Sequence, residues 1–560
     1  MKFENSRKEL YLALTGIILT ISSLVIIYAG DMSLFNSQYI TFQDSNGDNL
    51  FGEYQPGTQN AGIIILEGFS TDLMAMRSIN SEFSSLGFHT FAFDFSGQGR
   101  SGGTLGFDNA ATDRLAKQVL QAKEKFKSLS GLNDSQIILL GHSMGARVAL
   151  QSATMDTNNV SGLILIGCQV NLIPNVQAGF FTGVSDLNLE WVQNLSLTTP
   201  PVDILLLSGA LDDIITPEAA NLLYEKLGAK TSPYIRELEI YPLLFHNYEI
   251  YSPPLITKSM NWAVETLGLE SNPQYYATQA LIRKIFWVIA LLGLFMTPIF
   301  GAKYLTSVNK NFGEHEKERE KNDKEPHLNI NNLKRFYQYK LLLWLAAIPI
   351  AILLLSLFFF IPIGLPIFSL FYVGFIGSYG LLMVILYYKG KVPGTAGKLS
   401  INFKMDTKQI DKKLGISISI SIGFIILCSL FFNSGINYVF PLNMRLVWLS
   451  IFTLLTIPGF FIGQMEAYLL KETRYSSRKN QIWLWLIGLI PFFLISILFA
   501  ALGSVSGMIG SIHGIIILVF VIVSGSFIAE VSQKPIVAIV YQSFLIQLLV
   551  LTQGALFGIF

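Results

Sequence analysis

The residues best suited to chemistry in this chain are a serine and the glycines around it, Gly141-His142-Ser143-Met144-Gly145. An apolar run at 137–140 precedes them and a helix-like stretch at 146–154 follows, which predicts a strand, a sharp turn and a helix. Glycine two residues before and two after the serine permits a crowded turn. The serine hydroxyl would lie at a helix N-terminus, where negative charge is favoured. The pattern is typical of a nucleophile for acyl transfer.

The elements that must position this serine alternate along residues 31–279. A hairpin is predicted for 39–42 and 49–54 around Ser45-Asn46-Gly47-Asp48. Strands are then predicted at 62–66, 89–93, 137–140, 162–166, 203–207 and 236–240, and helices at 72–86, 109–127, 144–154, 217–227 and 255–267. This alternation favours a mostly parallel sheet with helices on both faces.

Two further motifs, together with the serine turn, carry a resemblance to a known family. Phe93-Asp94-Phe95-Ser96-Gly97-Gln98-Gly99-Arg100-Ser101-Gly102 is similar to a D-x-x-G-x-G-x-S loop, and Gly209-Ala210-Leu211-Asp212-Asp213-Ile214-Ile215-Thr216-Pro217 is similar to a G-x-x-D-x-x-x-x-P acid loop. Residues of about 38–268 therefore resemble the α/β-hydrolase superfamily, most closely its lysophospholipase, monoacylglycerol lipase and serine aminopeptidase branch. The resemblance implies that fold, and a serine, an acid and a histidine in that order along the chain. It does not reach the rest of the chain.

Asp212 is the predicted acid. A serine hydroxyl needs a base to remove its proton, and the imidazole base needs a carboxylate to hold one tautomer. Asp212 follows the strand at 203–207, at the carboxyl edge of the sheet, where the sites of open α/β sheets lie. Asp213 is the alternative acid, and either aspartate could instead cap the helix that begins near Pro217.

His246 is the predicted base among the six histidines. His142 lies inside the serine turn, and four others lie upstream, across the predicted membrane or within a predicted span: His89, His315, His327 and His513. His246 follows the last predicted strand and fits the implied order of serine, acid and histidine. It is therefore the candidate general base.

Two backbone N–H groups are expected to stabilise the oxyanion. One is that of Met144, directly after the serine. By resemblance the other is that of Phe69, in the loop Glu67-Gly68-Phe69-Ser70 that follows the strand at 62–66. Glu67 stands where the family usually has histidine, and a carboxylate facing the oxyanion would oppose its charge. Asp94 and the glycines after it are interpreted as structural.

The segment at 167–200 is rich in apolar residues. In this superfamily such an insertion often forms a lid, whose apolar character would suit an acyl chain. Periodicity alone does not distinguish a lid from an ordinary packed excursion. The residues concerned are Phe180, Phe181, Val184, Leu187, Leu189, Trp191 and Val192.

Composition predicts an integral membrane protein. Hydrophobic residues make up 51% of the 560 residues and charged residues only 14%, with a mean hydropathy of +0.48. Residues 10–28 predict an uncleaved signal anchor, with cleavage after Ala29 as the alternative. Eight further spans are predicted, at 285–300, 341–360, 367–387, 414–432, 447–470, 482–502, 509–529 and 535–557. The expected domains are therefore 1–30, a globular 31–280, and a membrane domain at 281–560.

The distribution of charge predicts the orientation of the chain in the membrane, and the net charge limits the classes of partner. The loops at 303–340, 389–413 and 471–479 are rich in Lys and Arg, whereas those near 364, 434–445 and 503–508 carry almost none. Since basic loops stay cytoplasmic, the N-terminus is predicted inside, and the globular domain and C-terminus outside. A net charge of +1 gives no argument for a nucleic-acid partner. Cys168 and Cys428, the two cysteines, form no zinc-type cluster, and no cofactor is expected.

The predicted spans carry few ionisable residues, whereas a transporter would normally keep such groups near the bilayer centre. Glu466 and Glu530 are expected near cytoplasmic ends, reaching the interface. The membrane half is interpreted as an anchor, a platform or a groove that presents lipid, with translocation of an uncharged lipid left open.

Together these features predict a membrane-anchored serine hydrolase that cleaves esters, preferably of lipids, or amides. Its expected partners are a small acyl or lipid substrate and membrane lipids. The competing hypothesis is a non-catalytic, hydrolase-like sensor or partner-binding domain attached to a lipid-handling bundle. Glu67 is the sequence feature that supports it.

Overall fold

A computed structural model describes residues 2–106, 108–173, 186–269, 274–309, 328–358, 364–399, 412–471 and 473–557. Two regions follow each other along the chain. The sheet region spans residues 38–267, and the helical region spans residues 278–557. A long helix, α1 (Lys2–Gly30), precedes both and packs against the helical region.

The sheet region is built on an eight-stranded sheet of order β1-β2-β4-β3-β5-β6-β7-β8. β1 and β2 form the predicted hairpin, β2 pairs antiparallel with β4, and the remaining strands run parallel. The predicted strands and the mostly parallel sheet are confirmed. The bounds are β1 Gln38–Gln43, β2 Asn49–Gln55, β3 Gly62–Leu66, β4 His89–Phe93, β5 Ile137–His142, β6 Gly162–Ile166, β7 Asp203–Gly209 and β8 Arg236–Tyr241.

Helices cover both faces of this sheet because the central strands are apolar on both sides, and β3, β5 and β6 are buried throughout. The two faces carry separate apolar cores, one around Phe91 and Phe126 and the other around Ile63 and Trp262. The helices are α2 Arg77–Ser85, α3 Asn109–Ser130, α4 Met144–Met155, α5 Glu190–Gln193, α6 Pro217–Lys226 and α7 Pro253–Thr266.

Helix α2 begins later than the predicted residue 72, and the carboxylate of Asp72 explains why. Asp72 Oδ1 accepts the N–H of Met74 at 2.9 Å, and the N–H of Leu73 is donated to Asp94 at 2.7 Å. Side-chain hydrogen bonds of this kind compete with the helical pattern. Residues 72–76 therefore form turns, and the helix starts only at Arg77.

The helical region consists of long apolar helices. With α1, eight of the described helices are long and apolar enough to cross a membrane. The bounds are α8 Thr278–Asn309, α9 Leu333–Phe358, α10 Ile367–Tyr372 continuing through a π-helical turn into α11 Ser378–Tyr388, α12 Lys412–Asn433, α13 Met444–Lys471, α14 Arg478–Ala501, α15 Val505–Ser532 and α16 Pro535–Val550.

The last predicted span, 535–557, is not one continuous helix. Helix α16 has 16 residues and is too short to be counted among those eight. The chain then turns and forms a short strand, Leu556–Phe557, which pairs with Leu365–Pro366. This strand also contacts the sheet region, where the N–H of Leu105 donates to the Leu556 carbonyl at 2.8 Å.

Buried ion pairs join the two regions. Arg77, at the start of α2, donates to Glu53 at 2.7 Å and to Asp31 at 3.2 Å. Arg283 of α8 pairs with the same Asp31 and donates to the carbonyl of Ser434 at 2.5 Å. All of these side chains are largely withdrawn from solvent, and a buried charge left without its partner is costly. The sheet region and the helical region are therefore held together by specific contacts.

Candidate active site

The predicted serine turn is formed as the sequence indicates. Ser143 lies between the end of β5 and the start of α4, with φ 53° and ψ −116°, a conformation that a non-glycine residue rarely adopts. A Cβ on Gly141 would lie 2.4 Å from the backbone of Gly145, and a Cβ on Gly145 would lie 2.4 Å from the carbonyl oxygen of Glu67. Both glycines are therefore required by close backbone approach.

The structure brings Ser143, His246 and Asp212 together. The Ser143 Oγ lies 2.8 Å from His246 Nε2, and His246 Nδ1 lies 2.7 Å from Asp212 Oδ2. The other oxygen of Asp212 accepts the N–H groups of Ile214 and Ile215, each at 2.8 Å. With the Nδ1 proton donated to Asp212, Nε2 is left to accept the serine proton. All three side chains are buried, so the arrangement is shielded from water.

The sequence leaves two alternatives open for the aspartates: Asp213 as the acid, or either aspartate as the cap of α6. The carboxylate of Asp213 accepts the N–H of Ser506, at the start of α15, at 3.1 Å, whereas it is Asp212 that bonds to His246. Helix α6 is capped by Thr216, whose hydroxyl accepts the N–H of Ala219 at 3.3 Å. Neither aspartate is therefore the side-chain cap of that helix.

Two buried groups behind His246 were not anticipated from the sequence. The His142 ring lies 4.9 Å from the His246 ring, and its Nε2 lies 3.2 Å from the His246 carbonyl. Glu249 accepts the N–H of Gly209 at 2.7 Å, and its second oxygen lies 3.5 Å from His142 Nε2. Burial lowers the pKa of His142 well below its ordinary value, with the nearby His246 adding to the effect. Burial, and then the charge of Asp212, raises the pKa of Glu249 well above its usual range.

Among the described residues, His142, His246 and Glu249 place ligand atoms within 4.8 Å of one another, a spacing that could suit a metal ion. Both ring nitrogens of His246 are already used, one by Asp212 and one by Ser143. A metal ion bound by this histidine would have to break that chain of hydrogen bonds. The arrangement therefore fits proton transfer better than metal ligation.

The loop Glu67–Ser70 lies beside the serine turn. A Cβ on Gly68 would come within 2.9 Å of His142 Nδ1 and 3.3 Å of Ser143 Cβ. Ser70 adopts φ 57°, and its N–H donates to Gln98 Oε1 at 2.5 Å. This close approach places the backbone of the loop next to the nucleophile, as the resemblance implies for Phe69. Met144 is the first residue of α4, where N–H groups have no partner within the helix.

Glu67 is directed into a buried network behind this loop. Its Oε1 accepts the N–H of Phe95 and the amide of Gln98, both at 2.8 Å, while Oε2 has no hydrogen-bond partner among the described residues. Burial, and then the charge of Asp94, raises the pKa of Glu67 well above its ordinary value of 4.5. Burial thus disfavours the charged form of Glu67, which weakens the expected conflict with an oxyanion.

Replacing Glu67 by Gln is expected to flatten the pH dependence of stability. Above about pH 4.5 the unfolded chain releases a proton that the folded protein keeps on Glu67. The contribution of Glu67 to the free energy of unfolding is therefore complete below that pH and decreases as the pH rises. Gln retains the accepting oxygen and has no such proton. The melting temperature of Glu67→Gln should therefore fall less between pH 5 and pH 8 than that of the wild type. Parallel curves for the two proteins would contradict this assignment.

Asp94, interpreted from the sequence as structural, orders the neighbouring loop. One oxygen accepts the N–H of Leu73 at 2.7 Å and the other that of Arg100 at 2.8 Å. Burial raises its pKa to about 6. Burial and then the charge of Asp94 raise the pKa of Asp72 to about 8. The Asp72 Oδ2 accepts the N–H of Tyr438 from the helical region at 2.7 Å.

The apolar insertion is described only in part. Its residues 174–185, including Phe180, Phe181 and Val184, lie outside the described residues. Of the remainder, Leu189, Trp191 and Val192 pack against the core of the sheet region, and Arg147 lies over the Trp191 ring. The described part of the insertion is therefore an ordinary connecting segment packed against the core, although Leu187 is exposed.

Residues 57–200 match the family model described as serine aminopeptidase, S33. This match covers the serine turn and the loop at 94–102, and the sheet around it has the strand order reported above. The sheet region has an α/β-hydrolase fold. Residues 38–267 are called the hydrolase domain below.

Several solved structures are similar to the hydrolase domain. One is a putative alpha/beta hydrolase from Agrobacterium tumefaciens, 24% identical, covering 42% of this chain and 100% of that chain with a TM-score of 0.33. Another is the alpha/beta hydrolase GrgF from Penicillium sp. sh18, 16% identical, covering 42% and 99% with a TM-score of 0.35. A third is the esterase Pf2001 from Pyrococcus furiosus, 16% identical, covering 42% and 91% with a TM-score of 0.32. Among curated protein sequences, none matches this chain.

Proposed function

We propose that the protein is a membrane-anchored serine hydrolase that cleaves acyl esters, with lipid esters as the preferred class and amides as the second. The observation that carries the proposal is the buried chain of hydrogen bonds from Ser143 through His246 to Asp212, 2.8 Å and 2.7 Å long. A hydrolase family and a strained serine turn support the same reaction type.

In the proposed reaction, His246 removes the Ser143 proton as the oxygen attacks the substrate carbonyl. Asp212 stabilises the imidazolium that forms, and the N–H groups of Met144 and Phe69 stabilise the oxyanion. His246 then returns the proton to the leaving group, which departs and leaves an acyl-Ser143. Water, deprotonated by His246, attacks the acyl carbonyl, and the proton returns to Ser143 as the acid is released.

A lipid substrate is favoured by where the hydrolase domain sits. Asp213 contacts Ser506 at the start of α15, and the hydroxyl of Tyr248 lies 2.9 Å from His513 Nε2 of the same helix. Both contacts come from segments that carry the predicted acid and base. An ester in a lipid bilayer around these helices would thus be close to the loops that hold the reacting groups.

The hydrolase domain is proposed to face the extracytoplasmic side, because the loops rich in Lys and Arg lie at the opposite ends of the predicted spans. A protease added outside intact cells should cleave within residues 31–279. Protection of that segment, with cleavage only after the membrane is permeabilised, would overturn the proposed orientation.

The chemistry is tested by labelling the full-length protein with a fluorophosphonate probe. The wild type should be labelled, and Ser143→Ala should not be, because the probe phosphonylates an activated serine. Activity of the wild type against a panel of lipid and aminoacyl esters would then assign the substrate class. If the folded wild type is neither labelled by the probe nor able to hydrolyse any ester, the proposed function is wrong. The same outcome would favour the non-catalytic alternative, for which Glu67 is the sequence feature; in the structure its Oε1 is bonded to the Phe95 N–H and the Gln98 amide.

A further inference from the structure

The helical region contacts one loop of the hydrolase domain at the carbonyl group of Gly97. Arg445, at the start of α13, donates from Nη2 to the carbonyl of Gly97 at 2.8 Å and to that of Gly554 at 3.0 Å. The N–H of Leu556 donates to the same Gly97 carbonyl at 2.7 Å, and Leu105 donates to Leu556 at 2.8 Å. Arg445 is only 1% exposed, so these are interior contacts.

The residue next to Gly97 holds the oxyanion loop from both sides. Gln98 Nε2 donates to Glu67 Oε1 at 2.8 Å and to the Gly68 carbonyl at 3.0 Å, while Oε1 accepts the N–H of Ser70 at 2.5 Å. These partners flank Phe69 on each side along the chain. Gln98 is fully buried, so its position sets that of the loop.

A second contact reaches the oxyanion loop directly. The ring of Phe557, in the C-terminal strand, lies 5.6 Å from the ring of Phe69. Phe557 is 5% exposed and belongs to the same apolar core as the central strands of the hydrolase domain. The tail of the helical region is thus part of that domain's interior.

One residue of the oxyanion loop has a backbone conformation that it would not keep unaided. Ser70 has φ 57°, which a non-glycine residue rarely adopts. Such a conformation persists only where surrounding contacts over-determine it. Oxyanion donors act through preorganisation, and a displacement of about 1 Å can cost about 10²-fold in rate.

We propose that the helical region completes the active site, with Arg445 as a positioning residue that acts through Gly97 and Gln98 on the oxyanion loop. The inference rests on the proposed function for its effect on rate. The helical region is then more than an anchor, because the serine reacts at full rate only when Arg445 and the tail hold this loop in place.

The test compares full-length variants in nanodiscs, with p-nitrophenyl butyrate as the probe ester. Arg445→Met should lower kcat by about 10- to 100-fold with KM within about threefold, since the loop stabilises the transition state rather than binding the substrate. Arg445→Lys, which keeps a donor, should recover most of that loss. The matched control is Arg283→Met, which removes another buried arginine near the junction of the two regions, bonded to Asp31 and to the Ser434 carbonyl. Its kcat should stay within about twofold of wild type, whatever its loss of melting temperature.

A second readout does not depend on activity. Hydrogen exchange in peptides covering residues 67–76 and 94–105 should be faster in Arg445→Met than in wild type, and unchanged in Arg283→Met. If both variants lose kcat in proportion to melting temperature and exchange is unaltered, the positioning role is wrong. If the wild type neither labels nor hydrolyses esters, the proposed function fails, and the exchange experiment still decides whether Arg445 orders the loop.

Discussion

Replacing Asp212 by Asn is expected to lower kcat for ester hydrolysis by about 10⁴-fold while the protein stays folded. The N–H groups of Ile214 and Ile215 both donate to Asp212 Oδ1, so the oxygen of an asparagine amide must take that place. The amide nitrogen then faces His246 Nδ1 and donates to it. This places the imidazole proton on Nε2, where it blocks acceptance of the Ser143 proton. Steady-state kinetics and the rate of fluorophosphonate labelling measure the loss.

Asp213 provides a matched control one residue away. Its carboxylate contacts Ser506 and not His246, so Asp213→Asn should leave kcat within about threefold. Equal losses in the two variants would mean that the effect comes from the loop as a whole. Retention of more than about a tenth of the wild-type kcat by Asp212→Asn would remove Asp212 from the proposed mechanism.

The sequence predicts those residues of the site that lie in short, recognisable motifs. Ser143 is recognisable because only a strand, a glycine-flanked turn and a helix permit its backbone conformation. Asp212 and His246 each follow a strand, and parallel strands bring their carboxyl ends to one edge of the sheet. Local sequence and the order implied by the family resemblance together predict three residues that are far apart along the chain.

The groups that surround these residues depend on tertiary packing. Glu249 follows His246 by three residues on one short helical turn, and that spacing is the only local signal for it. Arg445 reaches Gly97 across 348 positions of the chain, and no motif relates the two. For Glu466 the sequence predicts a side chain that reaches the membrane interface, and no partner within the protein. Glu466 is buried and bonded to Lys340 and Tyr387, because the partners lie on neighbouring helices that a single span does not reveal.

Replacing Gly145 by Ala is expected to lower kcat by about 10²-fold and to destabilise the protein by about 1–3 kcal/mol. The new methyl group would lie 2.4 Å from the carbonyl oxygen of Glu67 and 2.6 Å from that of Leu66, both backbone atoms at the end of β3. Relief of this clash must separate β3 from α4. The movement would pull the oxyanion loop, which continues β3, away from Ser143. The assays are p-nitrophenyl butyrate kinetics and thermal unfolding in nanodiscs.

Gly423→Ala is the control for any general effect on kcat or stability of replacing a glycine by alanine. Gly423 lies within α12, and a Cβ there would meet nothing within 4 Å, so alanine should leave kcat unchanged and stability equal or slightly higher. If Gly145→Ala lost stability but kept kcat, the backbone approach between α4 and β3 would be structural only. A loss of both, absent from Gly423→Ala, would link the packing of the serine turn directly to placement of the oxyanion loop.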